Sequence, residues 1–391
     1  MRYLDPLLYD QVWANLAARA PECEQAARQR RQTAERLRAE LLAGHPTTWL
    51  DRLADERFCN RDLFEHLLEI CHQSLPFEAS QGFEVSVVAL ELGRLLSERS
   101  PDCATVETLC RALCLGSHAR RLIGKPELAE LLLMRAAYLA EDPASLGFFC
   151  RSYALLRWDQ GRMEEAAALL EQGRRRYREL GDTREVSACD ALLGLLFHET
   201  GELARAEIAL RRARPGLDSR SHPWLASQVH LSLARCLGLA GRKAEARALR
   251  EGAWSLYRCT PMEEATCTLL WLEAQVAEAV GDLEDAETLF RTVRRKFIAR
   301  GCLPEATLTT VQLAVVLAFQ GRGEETPALT AELTSVFGGC KGFDLTLNAI
   351  HLMTRETAGG GLDPEAWHLM TPSYLLSFRI MGVSPQPVPF V

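Results

Sequence analysis

The sequence DQGRMEEAAALLEQG, from Asp159 to Gly173, holds a helical pattern that is preceded by a glycine. Ala166, Leu169 and Leu170 recur at the spacing of one helix face, whereas Gly161 stands in the polar stretch just before them. A glycine inside a helix costs about 1 kcal/mol relative to alanine. Because glycine readily adopts the positive φ that ends a helix, Gly161 predicts a turn between two helices.

This turn glycine recurs along the chain at a fixed interval. The copies are Gly161, Gly201, Gly241, Gly281 and Gly321, each 40 residues after the last, and Gly124 comes 37 residues before the first. A fixed period of this size is typical of repeat solenoids, in which each repeat packs on its neighbours. Each unit is therefore predicted to be two helices, such as 184–199 and 203–214 in the unit around Gly201.

Small residues keep the same phase as the turn glycines. Five positions after the glycine stand Ala129, Ala166, Ala206, Ala246, Ala286 and Thr326. Seven positions before it stand Ser117, Ala154, Gly194, Ala234, Ala274 and Ala314. Small side chains at fixed positions predict that the two helices of a unit approach each other closely there.

The stretch LLGLLFHETGELARAEIALRRA, from Leu192 to Ala213, resembles the tetratricopeptide repeat (TPR) family. That family has a small residue in the middle of its first helix, an alanine early in the second, and a large apolar residue followed by alanine further along. The resemblance covers about residues 103–336 in six units. The usual family repeat is nearer 34 residues, so the 40-residue period implies the long-repeat type.

The resemblance implies an all-α fold, a right-handed α-solenoid of TPR-like helix–turn–helix repeats with helical caps. Residues 1–60 are expected to form an N-terminal cap of two or three polar helices. Residues 61–342 are expected to form the superhelix, with a degenerate first unit at 61–98 and six further units. Residues 343–391 are expected to form C-terminal capping helices and a proline-rich tail.

The composition narrows the class of protein. The chain has 391 residues, 48% of them hydrophobic and 25% charged, with a net charge of −7, which argues against nucleic acid as the main ligand. The abundance of Arg, Ala and Leu is typical of a GC-rich bacterial genome. No apolar run reaches the roughly 18 residues of a membrane helix. Together with scattered cysteines, this predicts a cytoplasmic protein.

No motif for catalysis or nucleotide binding is present in the sequence, so we expect no enzymatic activity and no cofactor. One cluster is a candidate metal site, since Cys110, Cys114 and His118 stand four residues apart on one predicted helix. Zinc requires about four such ligands. The alternative is that cysteine fills space as a small apolar residue, which we favour because Cys150 and Cys189 occur in the first helices of other units.

In TPR proteins the first helix of each unit lines the concave surface, where ligands usually bind. We call the corresponding side of this chain the inner face, defined by the positions three, six and ten residues before each turn glycine. The predicted partner-binding residues there are His118, Arg121, Arg151, Trp158, His198, Arg235, Trp271 and Gln275. The basic and aromatic members suit a carboxylate-bearing, acidic partner segment. The alternative is that the arginines are merely solvent-exposed.

The inner face is apolar further along the chain, at Leu231, Val311, Val315 and Ala318. A tight superhelical turn, the C-terminal helices or a partner could each cover these residues. The leading hypothesis for the whole chain is an adaptor or regulatory subunit that holds a partner protein segment in its groove. The alternative is a sensor that binds a short peptide or small ligand inside the superhelix. The two differ in the size of what is bound.

Overall fold

The computed structural model describes residues 6–74, 79–100, 102–217, 223–257, 263–339 and 343, and every α or β element in these ranges is a helix. The helices before the repeats are α1 Pro6–Leu41, α2 Trp49–Arg52, α3 Arg61–Ser74 and α4 Ala79–Arg99. The repeats follow as α5 Cys103–Leu122, α6 Pro126–Ala137, α7 Pro143–Asp159, α8 Met163–Glu179, α9 Thr183–Glu199, α10 Leu203–Ala213, α11 Pro223–Leu239, α12 Lys243–Tyr257, α13 Glu263–Val280, α14 Leu283–Ala299, α15 Leu303–Phe319 and α16 Thr326–Phe337. This arrangement confirms the predicted α-solenoid of paired helices.

Each predicted turn glycine lies between the two helices of its unit. All six have positive φ, between 71° at Gly124 and 87° at Gly281. At Gly161 the glycine N–H donates to the Trp158 carbonyl at 2.9 Å, and the Arg162 N–H donates to the Arg157 carbonyl at 2.9 Å. These two bonds form a Schellman motif, which satisfies the last carbonyls of the first helix.

The phase-locked small residues lie where the paired helices touch. Ala206 is fully buried, as are its equivalents in the other units. At Gly194 an added Cβ would lie 2.6 Å from the Leu210 side chain, and at Gly173, twelve positions after its turn glycine, it would lie 3.2 Å from the Gly147 carbonyl. Since real Cβ atoms rarely come so close, these positions have no room for a side chain. The predicted close approach of the helices is confirmed.

The described part of residues 1–60 contains two α-helices, α1 and the four-residue α2, so the expected two or three helices are very unequal in length. A single helix, α1, runs for 36 residues and contains Pro21. The residues after Pro21 are mostly Ala, Arg, Gln and Glu, which are strong helix formers and sustain the helix beyond the proline. Its last turns bury Ala34, Leu37 and Leu41. Short turns and α2 complete this region up to Phe58.

The first helices of the units form an inner layer, and the second helices form an outer layer. Every residue of α9 from Ser187 to Phe197 is buried, and so is every residue of α15 from Leu303 to Leu317. The second helices instead alternate buried apolar residues with exposed charges. Within the ranges that the structure describes, no helix is long and apolar enough to span a membrane.

The predicted C-terminal cap at 343–391 lies outside the described residues, apart from Phe343. Phe343 is buried and packs in one apolar cluster with Val311 and Val315 of α15. The division of the chain into cap, superhelix and C-terminal segment stays a prediction.

Candidate binding face

The predicted binding residues lie along five consecutive first helices, from α5 to α13. Six of them are buried, with exposed fractions from 1% for Trp158 to 6% for Arg235 and Gln275. His198 and Trp271 are half-buried. The interpretation of Arg121, Arg151 and Arg235 as merely solvent-exposed arginines is therefore wrong. Whether the eight residues bind a partner stays a prediction.

On α5, Arg121 is held between a histidine and a carboxylate. Its Nη1 donates to Asp159 Oδ2 of α7 at 2.5 Å, and its Nη2 lies 3.0 Å from His118 Nδ1. Because a guanidinium can only donate, His118 accepts this bond in its neutral form. Burial lowers the pKa of His118 well below its ordinary value, and the charge of Arg121 lowers it further.

On α7, Arg151 and Trp158 both contact acids of α9. Arg151 forms an ion pair with Glu185 and also lies over the Phe148 ring, 5.2 Å from its centroid. Trp158 Nε1 donates to Glu199 Oε2 at 2.9 Å. The expectation of a basic surface over α5–α9 is therefore corrected, because the charges of Arg121 and Arg151 are balanced by carboxylates of the next unit.

The positions that define the inner face do not include these carboxylates. Asp159 and Glu199 both stand two positions before their turn glycines, one position away from the set that was projected onto the inner face. Each receives its bond from the residue three positions before the preceding turn glycine, Arg121 and Trp158 respectively. The recurrence of an acid at this position in consecutive units is the signal that could have revealed them.

On α9, α11 and α13 the charged groups are not matched in this way. Arg235 Nη1 of α11 lies 3.0 Å from His198 Nε2 of α9, so His198 is also a neutral acceptor. Burial lowers the pKa of His198 well below its ordinary value, and the charge of Arg235 adds to this effect. Glu278 of α13 is the carboxylate whose charge acts most strongly on Arg235, but within the described residues its Oε1 has no hydrogen-bond partner.

Several buried polar atoms in this stretch have no hydrogen-bond partner among the residues that the structure describes. They are Arg235 Nε, Glu278 Oε1, Gln228 Oε1 and Ser232 Oγ. Burial raises the pKa of Glu278 to about 7, although the positive charge of Arg235 acts in the opposite direction. A buried polar atom without a partner costs about 1–3 kcal/mol. We call Gln228, Ser232, Arg235 and Glu278 the unpartnered cluster.

Beyond this cluster the inner face is closed by the chain itself. Trp271 Nε1 donates to Gln312 Oε1 of α15 at 2.6 Å, and its ring meets Phe297 edge-on at 5.8 Å. Leu231, Val311 and Val315 are buried, and Ala318 is half-buried. The packing of Phe343 against Val311 and Val315 identifies the start of the C-terminal segment as part of their cover.

The cysteines on α5 behave as packing residues. Cys110 and Cys114 are fully buried in an apolar cluster with Ala129, Leu133 and Ala136. Cys110 Sγ donates weakly to the Ala136 carbonyl at 3.7 Å, and burial raises the pKa of the Cys114 thiol. In the part of the chain that the structure describes, no group of three or more His, Cys, Asp or Glu side chains is arranged to hold a metal ion.

Comparison with known proteins identifies the fold and no family. No family model matches the chain, and no curated protein sequence matches it. Among solved structures it is similar to a Rap protein complexed with Competence and Sporulation Factor, with 13% identity, a TM-score of 0.61, and coverage of 82% of this chain and 88% of that one. It is also similar to the apo form of RapI, with 11% identity, a TM-score of 0.52, and coverage of 81% and 87%. These likenesses concern the shared helical-repeat fold.

Proposed function

We propose that the chain is a non-enzymatic regulatory or adaptor protein that binds a segment of a partner protein along its inner face. The observation that carries this proposal is the unpartnered cluster on α11 and α13. A bound segment that hydrogen-bonds to these buried atoms would remove their desolvation cost. Solenoids commonly use the side lined by their repeats as an extended binding surface.

The fold supports the same function. The 40-residue period and the paired helices support membership of the long-repeat TPR family, and the composition supports a bacterial source. The similar Rap protein was solved in complex with Competence and Sporulation Factor, which makes it a relative in fold with a bound partner. All eleven described cysteines are free thiols, which favours the reducing cytoplasm as the compartment.

The contacts refine the partner expected from the sequence. Arg121 and Arg151 already carry carboxylate partners, so an acidic segment is best received at Arg235. Arg235 Nε is a donor without an acceptor, and Glu278 Oε1 is an acceptor without a donor. A peptide backbone offers one C=O and one N–H per residue, which is the combination that these two groups lack. Gln275, one helical turn before Glu278, lies beside this position.

The experiment is a peptide-display selection on the purified full-length chain. A Gln275→Trp variant fills the proposed site, whereas a Glu251→Trp variant adds the same bulk on the exposed outer side of α12. We expect selected peptides to lose at least about tenfold in affinity for the Gln275 variant, equivalent to 1.4 kcal/mol, and to retain affinity for the Glu251 variant. Thermal melts check that both variants fold. Peptides that bind all three proteins equally would overturn the proposal.

A sensor of a short peptide or small ligand is the second candidate. It is favoured by the position of the unpartnered cluster, because Arg235 and Glu278 belong to first helices of adjacent units. A small ligand that bridged them would change how the two units pack. Truncation of a selected peptide distinguishes the two candidates. Full affinity in five residues or fewer, with a change in the radius of gyration on binding, supports the sensor, whereas a longer minimal segment supports the adaptor.

A further inference from the structure

The outer side of α6 carries a stripe of large apolar side chains exposed to solvent. The exposed fractions are 49% for Leu128, 56% for Leu131, 55% for Met134 and 83% for Tyr138, the residue that caps the helix. Spacings of three, three and four residues put all four on one side of the helix. The opposite side of α6 packs in the core through Ala129, Leu133 and Ala136. The remaining large exposed apolar residues in the described ranges lie singly, on five different elements.

The other repeats show that the fold does not require this stripe. Four positions after the turn glycine, where α6 has Leu128, the other units have Glu165, Arg205, Glu245, Asp285 and Glu325. Ten positions after it, where α6 has Met134, they have Glu171, Arg211, Glu251, Arg291 and Ala331. Fourteen positions after it, where α6 has Tyr138, they have Arg175, Pro215, Ser255, Arg295 and Ser335. At these three positions the apolar residues are particular to α6, whereas at the position of Leu131 the other units have Ala168, Ile208, Ala248, Thr288 and Ala328. The contiguous stripe of large apolar residues marks this face of α6 as an interface.

We propose that this face binds α6 of a second copy of the chain. The four side chains expose on the order of 450 Å², so a pair would bury about 900 Å² before flanking residues are counted, close to the ~1,000 Å² expected of a specific interface. A symmetric dimer buries the same patch on both copies, and twofold symmetry is the commonest arrangement of oligomers. One stripe therefore provides nearly the whole area that a modest dimer needs.

The order of the residues favours an antiparallel pair. When the two helices run in opposite directions about an axis near residues 132–133, Leu131 faces Met134 of the second copy. In the same register Leu128 faces Tyr138, so each apolar residue meets another. Glu127 and Arg135 are exposed on the same side of α6, and Lys125 lies at its edge, so charged groups accompany the apolar residues at this interface. Because the stripe lies on the outer layer, the dimer leaves the inner face of both copies free.

Sedimentation velocity of the full-length chain tests the proposal. At an interface of this size we expect a monomer–dimer equilibrium in about the micromolar range, so the weight-average mass should rise towards that of two chains by ~100 µM. Leu131→Glu should reduce it to the mass of one chain at the same concentration. The matched control is Ile208→Glu on α10. Ile208 is an apolar residue at the same repeat position as Leu131, and it is 58% exposed. It should leave the dimer intact.

A charge exchange tests the register. Leu131→Glu and Met134→Lys should each be monomeric alone, because each places a charge against an apolar side chain. Mixed in equal amounts, they should form a heterodimer that pairs Glu with Lys on one side and Met with Leu on the other. Circular dichroism and melting curves confirm that both variants are folded. A wild-type chain that stays monomeric at ~100 µM, or a mixture that stays monomeric, would overturn the proposal. Neither result would bear on the inner face, so failure of the dimer and failure of the proposed function are distinguishable.

Discussion

Two stretches of the inner face differ in whether their buried arginines form ion pairs. On α5, α7 and α9, Arg121 and Arg151 each form an ion pair with a carboxylate of the following unit, Asp159 and Glu185. On α11 and α13, Arg235 contacts the neutral ring of His198, and Glu278 acts on it by charge while Glu278 Oε1 has no hydrogen-bond partner among the described residues. Both stretches are buried, and the difference lies in whether a buried arginine forms an ion pair with a carboxylate of the following unit.

This difference supports a structural role for the first stretch and the proposed binding role for the second. The free-energy cost of removing a charge from water must be offset by an ion pair or hydrogen bonds. In the α5–α9 stretch, ion pairs between units offset this cost, so its arginines fix how successive units pack. In the α11–α13 stretch this cost is not offset at Arg235 Nε and Glu278 Oε1 by any described residue, so these atoms could bond to a ligand.

Breaking a pair in the α5–α9 stretch should have the largest effect. Asp159→Ala leaves the buried Arg121 without its carboxylate, and we expect the free energy of unfolding to fall by about 3–5 kcal/mol. Urea unfolding followed by circular dichroism measures this loss.

The control for Asp159 is an exposed ion pair. Glu179→Ala removes the partner of Arg176, whose nitrogen lies 3.2 Å from the Glu179 carboxylate with both side chains well exposed. We expect a loss of only about 0–1 kcal/mol. Similar losses for Asp159→Ala and Glu179→Ala would contradict the view that the inner pairs hold successive units together.

Replacing the buried carboxylate of Glu278 with an amide should raise the free energy of unfolding, by an amount between those of the other two substitutions. The pKa of Glu278 is raised to about 7 from an ordinary value of 4.5, so between these pH values the unfolded chain ionises while the folded chain keeps the proton. The stability of the wild type therefore falls as pH rises from 4.5 to 7 and then stays level as far as this group is concerned. Glu278→Gln lacks this loss and should be more stable at pH 8 by on the order of 1–3 kcal/mol.

Urea unfolding of wild type and Glu278→Gln at pH 4.5 and pH 8 measures this gain. The two proteins should differ by less than about 0.5 kcal/mol at the lower pH, where the carboxyl group is protonated in the folded chain and half protonated in the unfolded chain. Glu251→Gln on the exposed side of α12 should differ from wild type by less than about 0.5 kcal/mol at either pH. A Glu278→Gln variant that is less stable than wild type at pH 8 would show that Glu278 has a partner within the chain.

Changing the turns should have the smallest effect, and the same effect in both stretches. Gly124 and Gly241 have φ of 71° and 77°, and an added Cβ at either would meet no atom within 4 Å. Alanine at each position should therefore cost about 1–2 kcal/mol through the positive φ alone. Thermal melts of the two variants should show equal shifts. Clearly unequal shifts would mean that the two stretches differ in their backbone as well as in their charges.

The sequence predicted the parts of the structure that depend on local order. The turn glycines and small residues recur in phase, and their structural causes, a positive φ and a close helix contact, act within about twelve residues. The boundaries of α9 and α10 accordingly matched the predicted 184–199 and 203–214 within one residue. Residues 1–57 were less predictable, because Pro21 normally interrupts a helix and here the strong helix formers after it sustain α1.

The sequence predicted which residues lie on the inner face, but not which of its arginines form ion pairs. The rule that first helices line the inner face placed Arg121, Arg151 and Arg235 on it, and all three are there and buried. What distinguishes them is a partner 34 to 38 residues away, as for Arg151 with Glu185 and Arg121 with Asp159. No pattern within a single unit indicates which arginine obtains such a partner, because the partner lies in the next unit and the pairing depends on how adjacent units rotate against each other.

The hydrogen bonds between units make the order of the units matter. Trp158 of α7 is completed by Glu199 of α9, which stands two positions before the next turn glycine. Deleting residues 162–201 would preserve the alternation of helices and turns, since Gly161 would take the place of Gly201. The next first helix would then be α11, which has Leu239 at the position of Glu199. Such a deletion would keep the backbone continuous while removing the acceptor of Trp158, so the units are equivalent as pieces of chain and not interchangeable as neighbours.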